Sequence, residues 1–435
     1  MRAYGPQYRL DRNEVWLAVV VALAVRLVML VLVAYRFDTG DSFWYDHLAK
    51  NLVDHGTFSL SLEPPIAPTY YRPPLFPGFV ALLYRVWRAP LAVQLAQVVI
   101  STATVVLCAK TVELLVTRIA RWTLWLGALV PANAVYAGAM LSETLTTFFL
   151  VAAVALPVLW KHRAAWLGMG ALLGLAALTR DVYLALIPFT AVLLPFDFVH
   201  GWVEEIPLKR RLGSAALLVC GAILAIAPWT ARNHHVSGQI IPVSKGILGQ
   251  GLWIGTWETN GDWLVKGGFD DGPPAGSFRT PDEKAEVEDA LKLKDAPRDK
   301  AMRKLAFDRY REEPFAVLGR WLYRAPQMWF GTRFDVFSFR PSFLAYGAPA
   351  WWVFKAALFA INSAIVLLGW AGLLISVWRR SWLAWLAIPI VYNTLIFLPL
   401  HSTEPRYSQP VYLFLCAFAA YVIVLGWDRW RREDG

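Results

Sequence analysis

Residues 38–78 read DTGDSFWYDHLAKNLVDHGTFSLSLEPPIAPTYYRPPLFPG, and this stretch concentrates the side chains able to do chemistry. An acid, Asp41, stands ahead of an aromatic run, and a basic residue, Arg72, stands before two prolines. A carboxylate so placed can take the proton of an attacking hydroxyl. An arginine suits phosphate, because its planar fork donates two hydrogen bonds at once. A second acid, Glu143, follows Ser142 at the edge of an apolar run. An unpaired carboxylate at membrane depth costs on the order of 3 kcal/mol, so its retention points to a use. Plainer roles stand beside these. Asp41 and Glu143 could each cap a helix, and Arg72 could meet lipid head groups in general. His47, His55, His234, His235 and His401 show no HExxH-like spacing. The glycine-rich KGILGQG at 245–251 lacks the strand–GxGxxG–helix order of a nucleotide loop.

The elements that must position these residues are membrane helices. The chain has 435 residues, 57% hydrophobic and 17% charged, with 22 Trp. Soluble domains average about 25% charged residues. About ten apolar runs approach the ~20 residues needed to cross a bilayer: 15–35, 89–117, 122–141, 144–160, 164–179, 182–198, 212–231, 350–378, 382–400 and 410–427. The net charge of +10 is placed as in a membrane protein, not as in a nucleic-acid binder. Arg2, Arg9 and Arg12 precede the first run. Arg118 with Arg121, Lys161 with Arg163, Lys209 to Arg211, and Arg379 with Arg380 fill alternate connections. Arg429, Arg431 and Arg432 follow the last run. This alternation predicts both termini in the cytoplasm and the remaining connections outside. The first run ends without a small-residue cleavage site and reads as a retained anchor. Cys108, Cys220 and Cys416 lie inside apolar runs with no CxxC pair, which argues against a disulfide framework or a zinc cage.

With that topology, the outer side collects Asp41, Glu63, Arg72, Glu143, Arg180, Asp181, Arg232, His401, Glu404 and Arg406. The segments 43–55 and 75–87 are too short to cross and read as interfacial helices. The chain divides into an N-terminal transmembrane module, 1–231, carrying the catalytic outer loop 36–88; a capping segment, 232–349; and a C-terminal module, 350–435. Within the cap, 237–261 mixes β-branched residues with glycines and reads as strand and loop. From Pro281 to about Arg324 the spacing is helical, broken at Pro314.

These motifs resemble a known family. WYDHLAKNLVDHG followed by YRPPLFPGF is similar to the first outer loop of GT-C glycosyltransferases, nearest the protein O-mannosyltransferase and lipid A aminoarabinose transferase branch. LSETLTTFFL at 141–150 is similar to its second-loop acid motif, and GALLGLAALTRDVYL, PWTARNHHVSGQIIPVSKGILGQGLWIGT and EPRYSQPVYLFL follow in the family's order. The resemblance implies an all-α polytopic GT-C membrane fold of about ten transmembrane helices, with interfacial helices and a small mixed periplasmic segment. It implies a polyprenyl-phosphate-linked sugar donor in a bacterial inner membrane, and transfer on the periplasmic side to a glycan, lipid or protein. By motif position Asp41 matches the catalytic acid, Glu143 the second-loop acid, and Arg72 the donor-phosphate ligand. Tyr71 stands where some relatives carry an acid.

These residues and the resemblance together predict an inverting glycosyltransferase. Asp41 is the base and Arg72 grips phosphate. Glu143 and Arg406 arrange the site, and Tyr71, Arg180, Arg232, Glu404 and Tyr407 complete the donor-binding set. Arg180 and Arg232 are alternatively snorkelling residues, and Glu404 with Arg406 a surface pair. A divalent ion, magnesium or manganese, on Asp41 and Glu143 is a further expectation. Two other classes stay open: a ligase or polymerase of O-antigen type using lipid diphosphates, and a lipid-linked sugar transporter or flippase.

Overall fold

The computed structural model describes residues 9–38, 40–195, 207–245, 248–259, 273–293, 295–334, 337–400 and 404–433. Arg2 and His401 lie outside these. The chain divides into two units. The first comprises 1–243, 332–390 and 409–435; the second comprises 244–331 and 391–408.

In the first unit, α1 (Arg12–Leu32) is apolar from Val15 onward except for Arg26 and leaves Leu17, Val20, Val28 and Val31 exposed, a face suited to lipid. After it, Val33 and Ala34 pair antiparallel with Phe339 and Ser338. The loop-one helices are α2 (Gly40–His55) and α3 (Leu75–Tyr84), close to the segments expected to lie in the interface. α4 (Pro90–Leu115) starts with proline in its first turn, where the missing N–H costs nothing.

The expected run 122–141 is not one helix. It forms α5 (Ala120–Leu129), a short α6 (Pro131–Val135) and a single 3₁₀ turn, Tyr136–Gly138. The cause is Pro131, which holds Val130 in an extended conformation and ends α5 there. α7 (Glu143–Leu159), α8 (Ala164–Thr179), α9 (Leu186–Leu193) and α10 (Leu208–Ser237) follow. α8 and α10 cross closely. A Cβ on Gly170 would collide with the Leu218 backbone, and one on Gly221 with that of Leu167. Small residues at such a crossing are a membrane-helix packing device. The helices Pro349–Trp378 and Tyr412–Glu433 meet in the same way at Gly369 and Gly372.

Among the described residues, five helices are long and apolar enough to cross a membrane: Arg12–Leu32, Pro90–Leu115, Leu208–Ser237, Pro349–Trp378 and Pro405–Arg429. The other expected spans appear as shorter apolar helices, including Glu143–Leu159, Ala164–Thr179, Asp181–Leu193 and Trp382–Phe397. The chain is an α-helical membrane protein.

The second unit is also helical. Residues 248–255, expected as strand and loop, form α11 (Leu248–Gly255). Its glycines serve packing and do not break the helix: a Cβ at Gly249 would meet the Asp299 backbone, and one at Gly255 the Pro399 backbone. The region after Pro281 breaks once more than expected, into Pro281–Lys292, Asp295–Glu312 and Pro314–Arg324. Pro297 explains the extra break, because proline is tolerated only in a first turn and the helix must restart at Asp295. Trp253, Ile254, Val287, Met302 and Ala306 form the core of this unit. Beside it the Arg309 guanidinium donates to Glu283 at 2.5 Å, with both side chains buried.

Candidate active site

Asp41 lies in the first turn of α2. Helix N-termini present unpaired N–H groups and favour a carboxylate. Gly40, just before it, has φ +60°, a conformation glycine adopts without strain. α2 also builds the loop that carries Arg72. Asn51 donates through Nδ2 to the Ser59 and Ser61 carbonyls at 2.9 and 3.1 Å. His47 Nε2 lies 2.7 Å from the Ser61 carbonyl. Thr69 N–H donates to Phe58 O at 2.8 Å. α3 locks onto α2 through the Tyr84 hydroxyl, which donates to Asp46 at 2.5 Å, and through Tyr45 set edge-on to Phe76. His47 and Asp46 therefore have structural work in this loop.

The outcome is a direct contact between the two leading candidates. Arg72 Nη1 donates to Asp41 Oδ1 at 2.8 Å, with the side chains 33% and 26% exposed. Burial works against the Arg72 charge, but the Asp41 carboxylate more than offsets this, helped by Tyr45 and Asp181. The Arg72 pKa stands above the usual arginine value. Tyr71 packs its ring beside Tyr70, with centroids 5.0 Å apart.

Glu143 opens α7 and is fully buried. Arg180, in extended conformation at the end of α8, donates to Glu143 Oε1 at 3.0 Å. The buried turn ahead of Glu143 is fixed by side chains from α4. Gln94 donates to Gly138 O at 2.7 Å and Gln97 to Ala139 O at 2.5 Å. Tyr35 donates to Val135 O at 2.6 Å and packs where a Cβ on Gly138 would sit. Sequence reading did not single out Gln94, Gln97, Asn51 or Tyr35. The available signal was polar residues inside or beside apolar runs.

Arg232, near the end of α10, donates to the Thr69 and Phe58 carbonyls. Its guanidinium lies 4.7 Å from the Trp229 ring centroid. It is thereby attached to the backbone of the loop that presents Arg72. Glu404, Arg406 and Tyr407 belong to the second unit. There Tyr407 packs against Phe397, its N–H donates to Glu404 O at 3.1 Å, and its carbonyl accepts from Asn393.

Among the described residues no group of three or more His, Cys, Asp or Glu is arranged to hold a metal ion. Asp41 and Glu143 each face a guanidinium that competes for the lone pairs a divalent ion would need. Paired in this way, these residues do not fit a magnesium or manganese site.

No family model matches the chain, and no curated protein matches it. Solved structures do. The oligosaccharyltransferase AglB of Archaeoglobus fulgidus, in complex with an inhibitory peptide and a dolichol-phosphate, matches with a TM-score of 0.55 and 12% identity over 96% of this chain and 50% of that one. The same archaeal oligosaccharyltransferase in complex with zinc and sulfate gives a TM-score of 0.52 and 13% identity, over 96% of this chain and 49% of that one. ArnT from Cupriavidus metallidurans, bound to undecaprenyl phosphate, gives 0.45 and 17% over 95% of this chain and 78% of that one. The chain spans about half the length of the archaeal oligosaccharyltransferases it matches. The chain shares the fold of the matched part of this archaeal oligosaccharyltransferase.

Proposed function

We propose that the chain is an inverting glycosyltransferase that moves a sugar from a polyprenyl-phosphate donor to a glycan, lipid or protein acceptor. It acts on the outer face of a bacterial inner membrane, with both termini in the cytoplasm. The observation that supports this reading is the Asp41–Arg72 contact at 2.8 Å, which sets a carboxylate able to act as a base beside a guanidinium able to hold phosphate.

In the resting state Arg72 holds the carboxylate it must later release. A donor phosphodiester, with one negative charge and two non-bridging oxygens, offers the guanidinium a bidentate partner, and the charge that develops on it as the sugar leaves strengthens that contact. As Arg72 turns to the phosphate, Asp41 loses its cation and becomes a stronger base. The acceptor hydroxyl gives its proton to Asp41, and its oxygen bonds to the anomeric carbon. The carbon–oxygen bond to phosphate breaks, and its electron pair leaves with the phosphate, whose added charge falls to Arg72. A single displacement inverts the anomeric centre. Arg232 holds the loop that carries Arg72.

The test is release of free polyprenyl phosphate from labelled polyprenyl-phosphate sugars by purified protein, with a crude envelope acceptor. Release that depends on protein supports the donor class. Release only from diphosphate donors, or substrate movement without covalent change, overturns it in favour of a ligase or a transporter.

A further inference from the structure

Arg26 is an arginine inside α1, about 9 Å of helix before its end at Leu32. It is 1% exposed. A charge at such depth costs on the order of 3 kcal/mol unless compensated. Its Nε donates to Ser101 Oγ at 2.8 Å, and Nη1 to the Ala22 carbonyl at 3.1 Å. Its Nη2 is buried without a hydrogen-bond partner, and no carboxylate among the described residues pairs with it. Arg26 does line a small cavity of about 20 Å³, and among the described residues the one carboxylate on that cavity is Glu143. The remaining lining is rich in hydroxyl groups, including Ser101, Thr144 and Thr147. A polar cavity of at least ~10–15 Å³ holds a water when two to four polar groups surround it.

We propose that Arg26 is a positioning residue for Glu143, acting through one water held in this cavity. The water accepts from Arg26 Nη2 and donates to the Glu143 carboxylate. Glu143 is then gripped from α1 as well as by Arg180. Tyr136 is the other titratable group on the cavity. Anions are poor alternatives as occupants because Glu143 faces the space, and cations because Arg26 does. The part this plays in turnover rests on the glycosyltransferase reading; the coupling of the two residues does not.

Two measurements test it. The first needs no substrate: thermal melting of Arg26→Met, Glu143→Gln and the double variant. Coupled residues give losses that are not additive, with the double variant melting no lower than the worse single variant. Additive losses overturn the proposal. If Arg26→Met alone gives no folded protein, recovery of folded protein on adding Glu143→Gln is the same positive result, and failure to recover it overturns the coupling. The second is the split of kinetic constants in the release assay. Arg26→Met is expected to lower kcat roughly tenfold or more while the donor KM stays within about twofold, and Arg26→Lys to restore most of the loss. A change in KM alone, or no rescue by lysine, contradicts a positioning role. A chain inactive with every monophosphate donor but non-additive in melting would sink the function and leave the coupling standing.

Discussion

Two of the first unit's acid–arginine pairs are similar in geometry and differ in setting. Asp41–Arg72 joins the start of a helix to a loop, and both side chains keep about a third of their surface or less open to solvent. Glu143–Arg180 joins the start of one helix to the end of another, and the carboxylate is fully buried. The half-open pair can exchange its partner for a substrate phosphate at little cost, since exposed ion pairs contribute about 1 kcal/mol or less. The buried pair cannot, because breaking it strands a charge at a cost of about 3–5 kcal/mol. One pair is suited to react and the other to hold shape.

Substitutions can break this contrast. The largest expected effect on turnover outside the base itself is at Arg72. Arg72→Met should lower release of polyprenyl phosphate by roughly 10²–10³-fold, with little change in melting temperature. Glu143→Gln should do the reverse in emphasis. It should destabilise the protein by about 3 kcal/mol, read by thermal melting in detergent. If Arg72→Met proved the more destabilising of the two, the assignment of roles would be inverted.

A third acid–arginine pair, Glu283–Arg309 in the second unit, sharpens the same comparison through pH. Burial works against the Glu283 charge, but Arg309 and Arg279 both donate to it, and its pKa falls to about 2 from an ordinary 4.5. A depressed folded-state pKa means the stabilisation is present above about pH 4.5 and is lost as pH falls towards 2. The amount is on the order of 3 kcal/mol. Protection factors of the 281–312 amides, corrected for the intrinsic pH dependence of exchange, should fall across that window, and Glu283→Gln should remove that fall. The smallest effect is expected at Arg232. Arg232→Ala should reduce turnover about tenfold by loosening the loop that presents Arg72, and should raise donor KM along with it.

The leading pair was legible in the sequence because acid, aromatic run and basic–Pro–Pro stand within one short stretch. The long helices and the two loop-one helices were legible from hydropathy and length. Three things were not. Pro131 breaks an apolar run that hydropathy alone counts as continuous. The glycines of 248–255 read as loop formers, because what they accommodate, the backbones of Asp299 and Pro399, lies far off in sequence. The partner of Glu143 depends on how α7 and α8 pack, so Arg180 looked no different from a snorkelling residue. Local chemistry was written locally, and pairings made by tertiary packing were not.

The most direct measurement of the central claim is release of polyprenyl phosphate by Asp41→Asn against wild type, with melting temperature followed on the same samples. The expected result is a loss of about 10²–10⁴-fold in turnover, with donor still bound and the melting temperature nearly unchanged. Turnover within a few-fold of wild type in folded Asp41→Asn protein would contradict Asp41 as the base and would remove the Asp41–Arg72 exchange from the mechanism.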